Sequence, residues 1–326
     1  MNKWLIIIVL MAISCIDFDF EAPYEDLNGI YIEWITARPD IRGETLLFEG
    51  QEGYINYGDT LTRYKFGNVD SIYAYGIYIS PHGIIRDFEV ANDFAYVASD
   101  FGLEIINFQE SEPYLYSSLE IPNGTDFVRV HNRYVYMAES HYNNLYVVDI
   151  TDKMNPVKVS EYIIENPYFI KGIEIDSSYA YVLLWNSDVY LFDISDPTNL
   201  NLVSHISLQD TLGDYAVMLT LKEDYMYFLK HAFLETYVLS DSSDLESISR
   251  IGFASYSMNF IHVGEEYGLA CSGGSWVYLL NLEYPSRPCI TEIYELGWPQ
   301  QYGIIRDNYI YLLIPYLEIL EIKEVQ

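Results

Sequence analysis

The sequence has few basic residues and lacks the short motifs of common catalytic centres. Its 326 residues include 17 Lys and Arg against 48 Asp and Glu, a formal net charge of −31. Nucleic-acid binding depends on Lys and Arg that neutralise phosphates, so we expect no nucleic-acid partner and no adsorption to an anionic bilayer. The sequence contains no H-E-x-x-H, C-x-x-C or G-x-S-x-G motif, which excludes the enzyme classes that these motifs define.

Metal and phosphate motifs are missing as well. The six histidines are scattered and have no partner at metal-site spacing, and neither a D-x-D-x-D-G loop nor a phosphate-binding glycine loop occurs. Such patterns are how calcium, zinc and nucleotide sites are recognised in a sequence. We therefore predict no metal and no cofactor, and we do not predict an enzyme.

Cysteine and long apolar segments are scarce. Residues 4–13 form an apolar run of ten residues, too short to span a membrane but suited to a signal-peptide core. The run leads into Ala12-Ile13-Ser14-Cys15, which resembles a bacterial lipobox. We predict a signal peptide over 1–14, lipidation of Cys15 and an acidic tether over 15–27. The protein would then be an exported bacterial lipoprotein at the outer membrane or cell surface, with membrane contact only through the anchor. The alternative is a plain secretion signal.

What the chain does have is an internal repeat. Similar strand-rich segments recur every 40 to 46 residues, at Lys65, Asn107, Asp149, Asp193, Leu239, Asn281 and Glu321. The segments are rich in Val, Ile, Leu and Tyr, which favour strands, and turn residues separate them. A period in the low forties with strand-like content is typical of a β-propeller, in which each repeat forms one small sheet.

The clearest copies are LYVVDITDKMNPVKV (145–159) and VYLFDISDPTNLNLV (189–203), and weaker copies begin at Gly102 and Trp276. These strings resemble the LVIVD repeat family of bacterial secreted and surface proteins, over roughly residues 45–326. The resemblance implies a propeller at or outside the cell surface and brings no catalytic motif. The Asp-Ile-Ser/Thr-Asp element (149–152 and 193–196) suggests a cation site, but we interpret it as turn-forming, because Asp and Ser side chains bond nearby backbone groups.

We therefore predict an all-β fold: a seven-bladed β-propeller of four-stranded antiparallel blades over 28–326. In the third blade the strands are 126–130, 134–138, 145–150 and 157–163. The last repeat ends without a fourth strand, so residues 30–36 are expected to supply it, and 46–49, 53–57, 61–66 and 71–79 to form the first blade. The alternative is six blades, with 71–79 as the closing strand and 22–66 as a cap. Cys271 and Cys289 fall on either side of a strand, so we expect two buried thiols that form no disulfide.

One face of such a ring collects the loops between second and third strands and those between blades. In this sequence these loops are rich in large aromatic, amide and His side chains, the chemistry of recognition surfaces. The candidate ligand-binding residues are His141, Tyr142, Trp185, His231, Trp276, Trp298, Gln301 and Tyr302.

The function predicted from this face is a monomeric surface interaction module that binds a protein partner or a glycan. One alternative is a hydrolase or lyase on extracellular polysaccharide with a site in the central channel. Another is a structural subunit of an envelope complex. Convergence of Glu139, His141 and His231 on one cavity would favour the enzyme.

Overall fold

The computed structural model describes residues 30–67, 71–209, 215–239, 245–254, 257–296, 302–313 and 316–324. Every regular element within these ranges is a β-strand. Nothing in the same ranges forms a helix with the length and hydropathy needed to cross a membrane.

The strands form seven four-stranded antiparallel sheets, the blades, in which strands adjacent in sequence are neighbours. The first four blades are β2 (Thr45–Glu49), β3 (Glu52–Tyr57), β4 (Thr60–Phe66) and β5 (Ile72–Ile79); β6 (Ile85–Ala91), β7 (Phe94–Ser99), β8 (Gly102–Asn107) and β9 (Tyr114–Glu120); β10 (Phe127–His131), β11 (Tyr134–Glu139), β12 (Asn144–Asp149) and β13 (Val157–Ile163); and β14 (Ile170–Ile175), β15 (Tyr179–Leu184), β16 (Asp188–Asp193) and β17 (Asn201–Ser207).

The remaining three blades repeat this pattern, and the last also takes the first strand of the chain. They are β18 (Ala216–Lys222), β19 (Tyr225–Lys230), β20 (Phe233–Val238) and β21 (Glu246–Gly252); β22 (Met258–Val263), β23 (Tyr267–Ser272), β24 (Trp276–Asn281) and β25 (Cys289–Glu295); and β26 (Tyr302–Arg306), β27 (Tyr309–Leu313), β28 (Leu317–Glu324) and β1 (Ile30–Arg38).

The blades close into a ring through their first strands. Each first strand contacts the first strand of the next blade, and β26 contacts β2. The predicted seven-bladed propeller is therefore confirmed. The six-blade alternative is wrong, because β5 pairs with β4 as the outer strand of blade 1 and closes nothing.

The ring is closed by strand exchange between the two ends of the chain. Strand β1 pairs with β28 from Ile30 opposite Glu324 to Arg38 opposite Leu317, with one bulge. The predicted closing strand 30–36 is thus confirmed and extends two residues further. The pairing gives blade 7 its fourth strand, so β28 is not left as an open edge.

The hydrophobic core lies between the blades. Among the described residues, seven clusters of buried side chains occur, and each joins two adjacent blades. Tyr136 of blade 3 and Val182 of blade 4 share one cluster, while Ile32 of β1 lies with Leu269 and Leu320 in another. The alternation of side chains along each strand produces this arrangement, because each blade buries both faces against neighbours.

The Asp-rich turns have the structural role predicted for them. Asp149 accepts a hydrogen bond from the backbone N–H of Thr151 at 2.8 Å, and Asp193 accepts the same bond from Ser195 at 2.8 Å. The carboxylates therefore satisfy backbone donors of their own turns.

Cys271 in β23 and Cys289 in β25 are buried thiols on either side of β24, and no disulfide joins them. The prediction for these two cysteines is confirmed.

Replacing Ile32 by Ala should weaken ring closure. Ile32 is 6% exposed and its truncation leaves a cavity in the cluster between blades 6 and 7, so we expect a loss of about 2–5 kcal/mol in the free energy of unfolding. The measurement is urea denaturation followed by circular dichroism. The matched control is Tyr31→Ala on the same strand, which is 40% exposed and should cost about 0.5 kcal/mol or less. Equal losses from both variants would contradict the conclusion that the buried side chain of Ile32 stabilises the packing between blades 6 and 7.

Candidate functional site

The first strands of the seven blades surround a central channel of about 580 Å³. Side chains from every blade line it. One lining residue from each blade, in ring order, is Thr45, Asp87, Phe127, Gly172, Met218, Phe260 and Tyr302.

Four of the seven first strands carry a β-bulge near their beginning. The pairing with the second strand skips Arg86, Lys171, Val217 and Asn259, in blades 2, 4, 5 and 6. All four residues line the channel. A bulge re-aims the side chain of the extra residue, which is how these residues reach the channel mouth.

Charged side chains cluster on the channel wall formed by blades 2 to 4. Arg129 of β10 lies between two carboxylates, with its Nη1 2.8 Å from Asp87 of β6 and its Nη2 2.8 Å from Glu174 of β14. Burial lowers the pKa of Arg129, but the charges of Glu174 and Asp87 outweigh burial and raise it well above its ordinary value. Arg129 therefore links three blades as a permanent cation.

The carboxylates of β6 also bond to backbone groups of the next blade. Asp87 accepts the N–H of Val128 at 3.0 Å, and Glu89 accepts the N–H of Val130 at 2.7 Å. Strand β10 is innermost, so these N–H groups have no neighbouring strand to bond. Burial raises the pKa of Glu89 to about 7, against a lowering by the Arg129 charge.

The opposite wall of the channel, from blades 5 to 7, is largely apolar. The rings of Phe260 and Tyr302 pack with centroids 4.3 Å apart, and Met218 lies on the same wall. Burial lowers the pKa of His262 to about 4 and raises the pKa of Tyr302. Both side chains are therefore neutral at neutral pH.

A second cavity, of about 420 Å³, opens on the loop face between blades 3 and 4. We call it the aromatic cleft; its lining residues are Asp126, Phe127, Ser140, His141, Phe169, Ile170, Lys171, Trp185 and Val217. Phe127, Lys171 and Val217 also line the channel, so the two cavities share a wall.

Four side chains form the rim of the cleft. His141 stacks on Phe169 with ring centroids 5.7 Å apart, and Lys171 Nζ lies 4.5 Å from the centre of the Trp185 ring. Trp185 is 47% exposed and Phe169 is 50% exposed. Large aromatic side chains held half-exposed beside a concave surface are typical of binding sites.

Buried polar side chains hold the rim loops in place. The two oxygens of Glu139 accept the backbone N–H groups of His141 at 2.7 Å and Tyr142 at 2.9 Å. Asn143, with φ of 56°, donates to the carbonyls of Asn166 and Tyr168 and accepts the N–H of Ile170. Asn tolerates this left-handed backbone well. The three hydrogen bonds hold the turn of blade 3 and the loop entering blade 4 as one unit.

Of the predicted ligand-binding residues, the structure brings His141, Tyr142 and Trp185 to the cleft. His141 and Trp185 line it, and Tyr142 packs its ring edge-on to His141 at 4.8 Å.

Three other predicted residues lie elsewhere. Tyr302 lines the channel, His231 is in the turn between β19 and β20, and Trp276 begins β24 in blade 6. Trp298 and Gln301 lie outside the described residues. Among the predicted residues that the structure describes, three lie at the aromatic cleft, one lines the channel and two lie on blades 5 and 6.

Neither the channel nor the cleft is lined by all three residues set as the test for catalysis. His141 lines the cleft, whereas Glu139 lies beneath its loop and bonds backbone N–H groups, and His231 belongs to blade 5.

Sequence reasoning missed Phe169, Lys171 and the ion cluster of Arg129, Asp87 and Glu174. Phe169 immediately precedes β14 and Lys171 is its second residue, and a lysine beside aromatic residues in so acidic a chain was a usable signal. The ion cluster joins residues about 42 to 45 apart, one per repeat, so aligning the inner strands of successive repeats would have revealed it.

The comparisons with known proteins agree with this architecture. The family described as LVIVD repeat matches residues 82–113, 125–163 and 171–207, which are parts of blades 2, 3 and 4. Among solved structures, the β-propeller domain of Cps50 (Swd1) from Myceliophteria thermophila is similar with a TM-score of 0.70 and 10% identity, over 89% of this chain and 99% of that chain. The computationally designed Ika8 protein gives 0.64 and 7%, over 88% and 98%. No curated protein matches the chain.

The protein is thus a seven-bladed β-propeller of four-stranded antiparallel blades. In particular, the predicted LVIVD repeats are confirmed for three segments, which are parts of blades 2, 3 and 4, and these blades hold the ion cluster and most of the aromatic cleft.

The buried carboxyl of Glu89 should make stability depend on pH. Its pKa is raised from 4.5 to about 7, so between these values the folded state binds more protons than the unfolded state. The contribution of the Glu89 carboxyl to the free energy of unfolding is therefore fully present below about pH 4.5 and is lost as the pH rises through 7. We expect Glu89→Gln to gain stability relative to the parent by on the order of 1–3 kcal/mol between pH 5 and pH 8.

The measurement is urea denaturation of both proteins across that pH range. Glu120→Gln, at an exposed position at the end of β9, is the control and should differ from the parent by a constant amount. A pH-independent difference for Glu89→Gln would show that burial does not hold this proton.

Proposed function

We propose that the protein is a binding module that takes a segment of a protein partner into the aromatic cleft. The observation that carries this proposal is the pair of half-exposed rings, Trp185 and Phe169, on the rim of a cavity of about 420 Å³. Buried aromatic anchors contribute most of the binding energy in many interfaces. Leaving such rings exposed costs solubility, which is a reason to expect that a partner covers them.

The pre-formed geometry of the rim supports the same conclusion. Asn143 and Glu139 fix both loops by hydrogen bonds to backbone groups. A rim that is already ordered loses little conformational entropy when a partner binds.

The composition of the cleft favours a protein segment over a glycan. Its walls include Phe127, Ile170 and Val217 besides the two rim aromatics, and Asp126 already accepts the N–H of Ser140 at 2.8 Å. A sugar presents many hydroxyls that need polar partners, whereas apolar walls suit protein side chains.

One observation favours the polysaccharide hydrolase or lyase as a second candidate. A channel carboxyl with a pKa near 7, that of Glu89, has the acidity that general acid–base catalysis needs. Depolymerisation assays on extracellular polysaccharides with the parent protein would test this candidate.

Substituting Trp185 by Ala should strongly reduce partner capture. The experiment cross-links the full-length protein in intact source cells and identifies captured molecules by mass spectrometry. We expect one recurrent protein at near-equal amount with the parent, and at least tenfold less with Trp185→Ala, because an aromatic anchor contributes about 2 kcal/mol or more.

The matched control is Trp34→Ala. Trp34 is 49% exposed on the outer strand β1, so its loss removes an equally exposed indole away from the cleft and should leave capture unchanged. Undiminished capture by Trp185→Ala, or no protein above a control propeller, would contradict the proposal.

We also propose that the protein is exported and anchored through Cys15 at the outer membrane or cell surface. The apolar run 4–13 and the lipobox-like Ala12-Ile13-Ser14-Cys15 support this proposal. Metabolic labelling with radioactive palmitate should label the parent, while Cys15→Ala should lose the label and Cys271→Ala should keep it. A labelled Cys15→Ala protein would rule out this anchor.

A further inference from the structure

Lys171 occupies the position at which the aromatic cleft and the central channel meet. It is the bulge residue of β14 and lines both cavities. Its Nζ lies 4.5 Å from the centre of the Trp185 ring, so the ammonium group stands beside the exposed aromatic anchor.

This ammonium group has no carboxylate within 4 Å among the residues that the structure describes. The chain has 48 acidic residues, and other lysines use them: Lys158 pairs with Glu161 at 2.6 Å and Lys230 with Glu235 at 3.1 Å. Burial lowers the pKa of Lys171, because removing the ammonium group from water disfavours its charged form. A carboxylate of a ligand would offset this loss of solvation.

We propose that Lys171 is an anion subsite of the aromatic cleft, where it pairs with an acidic side chain of the bound protein segment. Trp185 and Phe169 then contact an apolar side chain next to that acidic residue. This inference rests on the proposed function, since it names the chemistry of the partner at the same site.

The immediate surroundings permit this pairing in spite of the acidic chain. The carboxylate in the cleft, Asp126, accepts the backbone N–H of Ser140, and Glu174 in the channel is bound to Arg129. The Debye length at physiological ionic strength is about 8 Å, so more distant surface carboxylates are largely screened. A charge-assisted hydrogen bond to a half-buried ammonium is screened much less.

The experiment uses an array of synthetic peptides in matched pairs. The members of each pair differ only by Glu or Gln at the central position, beside one apolar residue that is varied across the array. We expect the full-length parent to bind the best Glu peptides at least about tenfold more tightly than their Gln partners, as measured by fluorescence anisotropy. The preference should vanish in Lys171→Met and persist in Lys171→Arg, which keeps the charge.

Lys158→Met is the matched control, because Lys158 also lies over a ring, that of Tyr146 at 5.3 Å, but has a carboxylate partner. This variant should keep the full preference for Glu. A preference that survives Lys171→Met would overturn the subsite.

Two further outcomes separate this inference from the proposed function. Peptide binding without any Glu preference, but lost in Trp185→Ala, would overturn the anion subsite and leave the binding module intact. Binding of trigalacturonate through Lys171, with no peptide bound, would overturn both in favour of an acidic glycan.

Discussion

The pairing of β1 with β28 is the constraint on which the rest of the structure depends. A ring of sheets is stable only when every blade has a neighbour on both sides, and the last repeat brings three of its four strands. The register from Ile30 to Arg38 completes blade 7 and places Ile32 in the cluster between blades 6 and 7. The contact of β26 with β2 closes the circle. Each of the seven clusters of described residues therefore has two walls, and every blade contacts a neighbour on both sides.

Because the core lies between the blades, the innermost strands are free to carry polar side chains. Their inner edges have N–H groups without a strand partner, and the carboxylates of Asp87 and Glu89 accept those of Val128 and Val130. Arg129 balances this charge and ties blade 2 to blade 4. The ion cluster is thus part of the ring's construction.

The sequence predicted the fold far better than the site. The period of the repeats favoured seven blades over six, and the prediction that residues 30–36 complete the last blade is confirmed. For the site, the aromatic loop residues His141, Tyr142 and Trp185 were predicted and lie together at the cleft. Phe169 and Lys171 were not, because their role depends on the bulge in β14 and on the hydrogen bonds of Asn143, which reach across to the loop entering the next blade.

The sequence by itself determined the seven repeats, their strand order and the use of the N-terminal strand for closure, because side-chain alternation and turn residues act locally along the chain. Only the tertiary structure decided which loop residues meet. Neighbouring blades bring residues about 42 to 45 apart into contact around the axis, as with Arg129 and its two carboxylates. His231 and Trp276, which resemble the cleft residues in type, lie on blades 5 and 6 and line neither the cleft nor the channel. The rotation from blade to blade, a property of the closed ring, sets these distances.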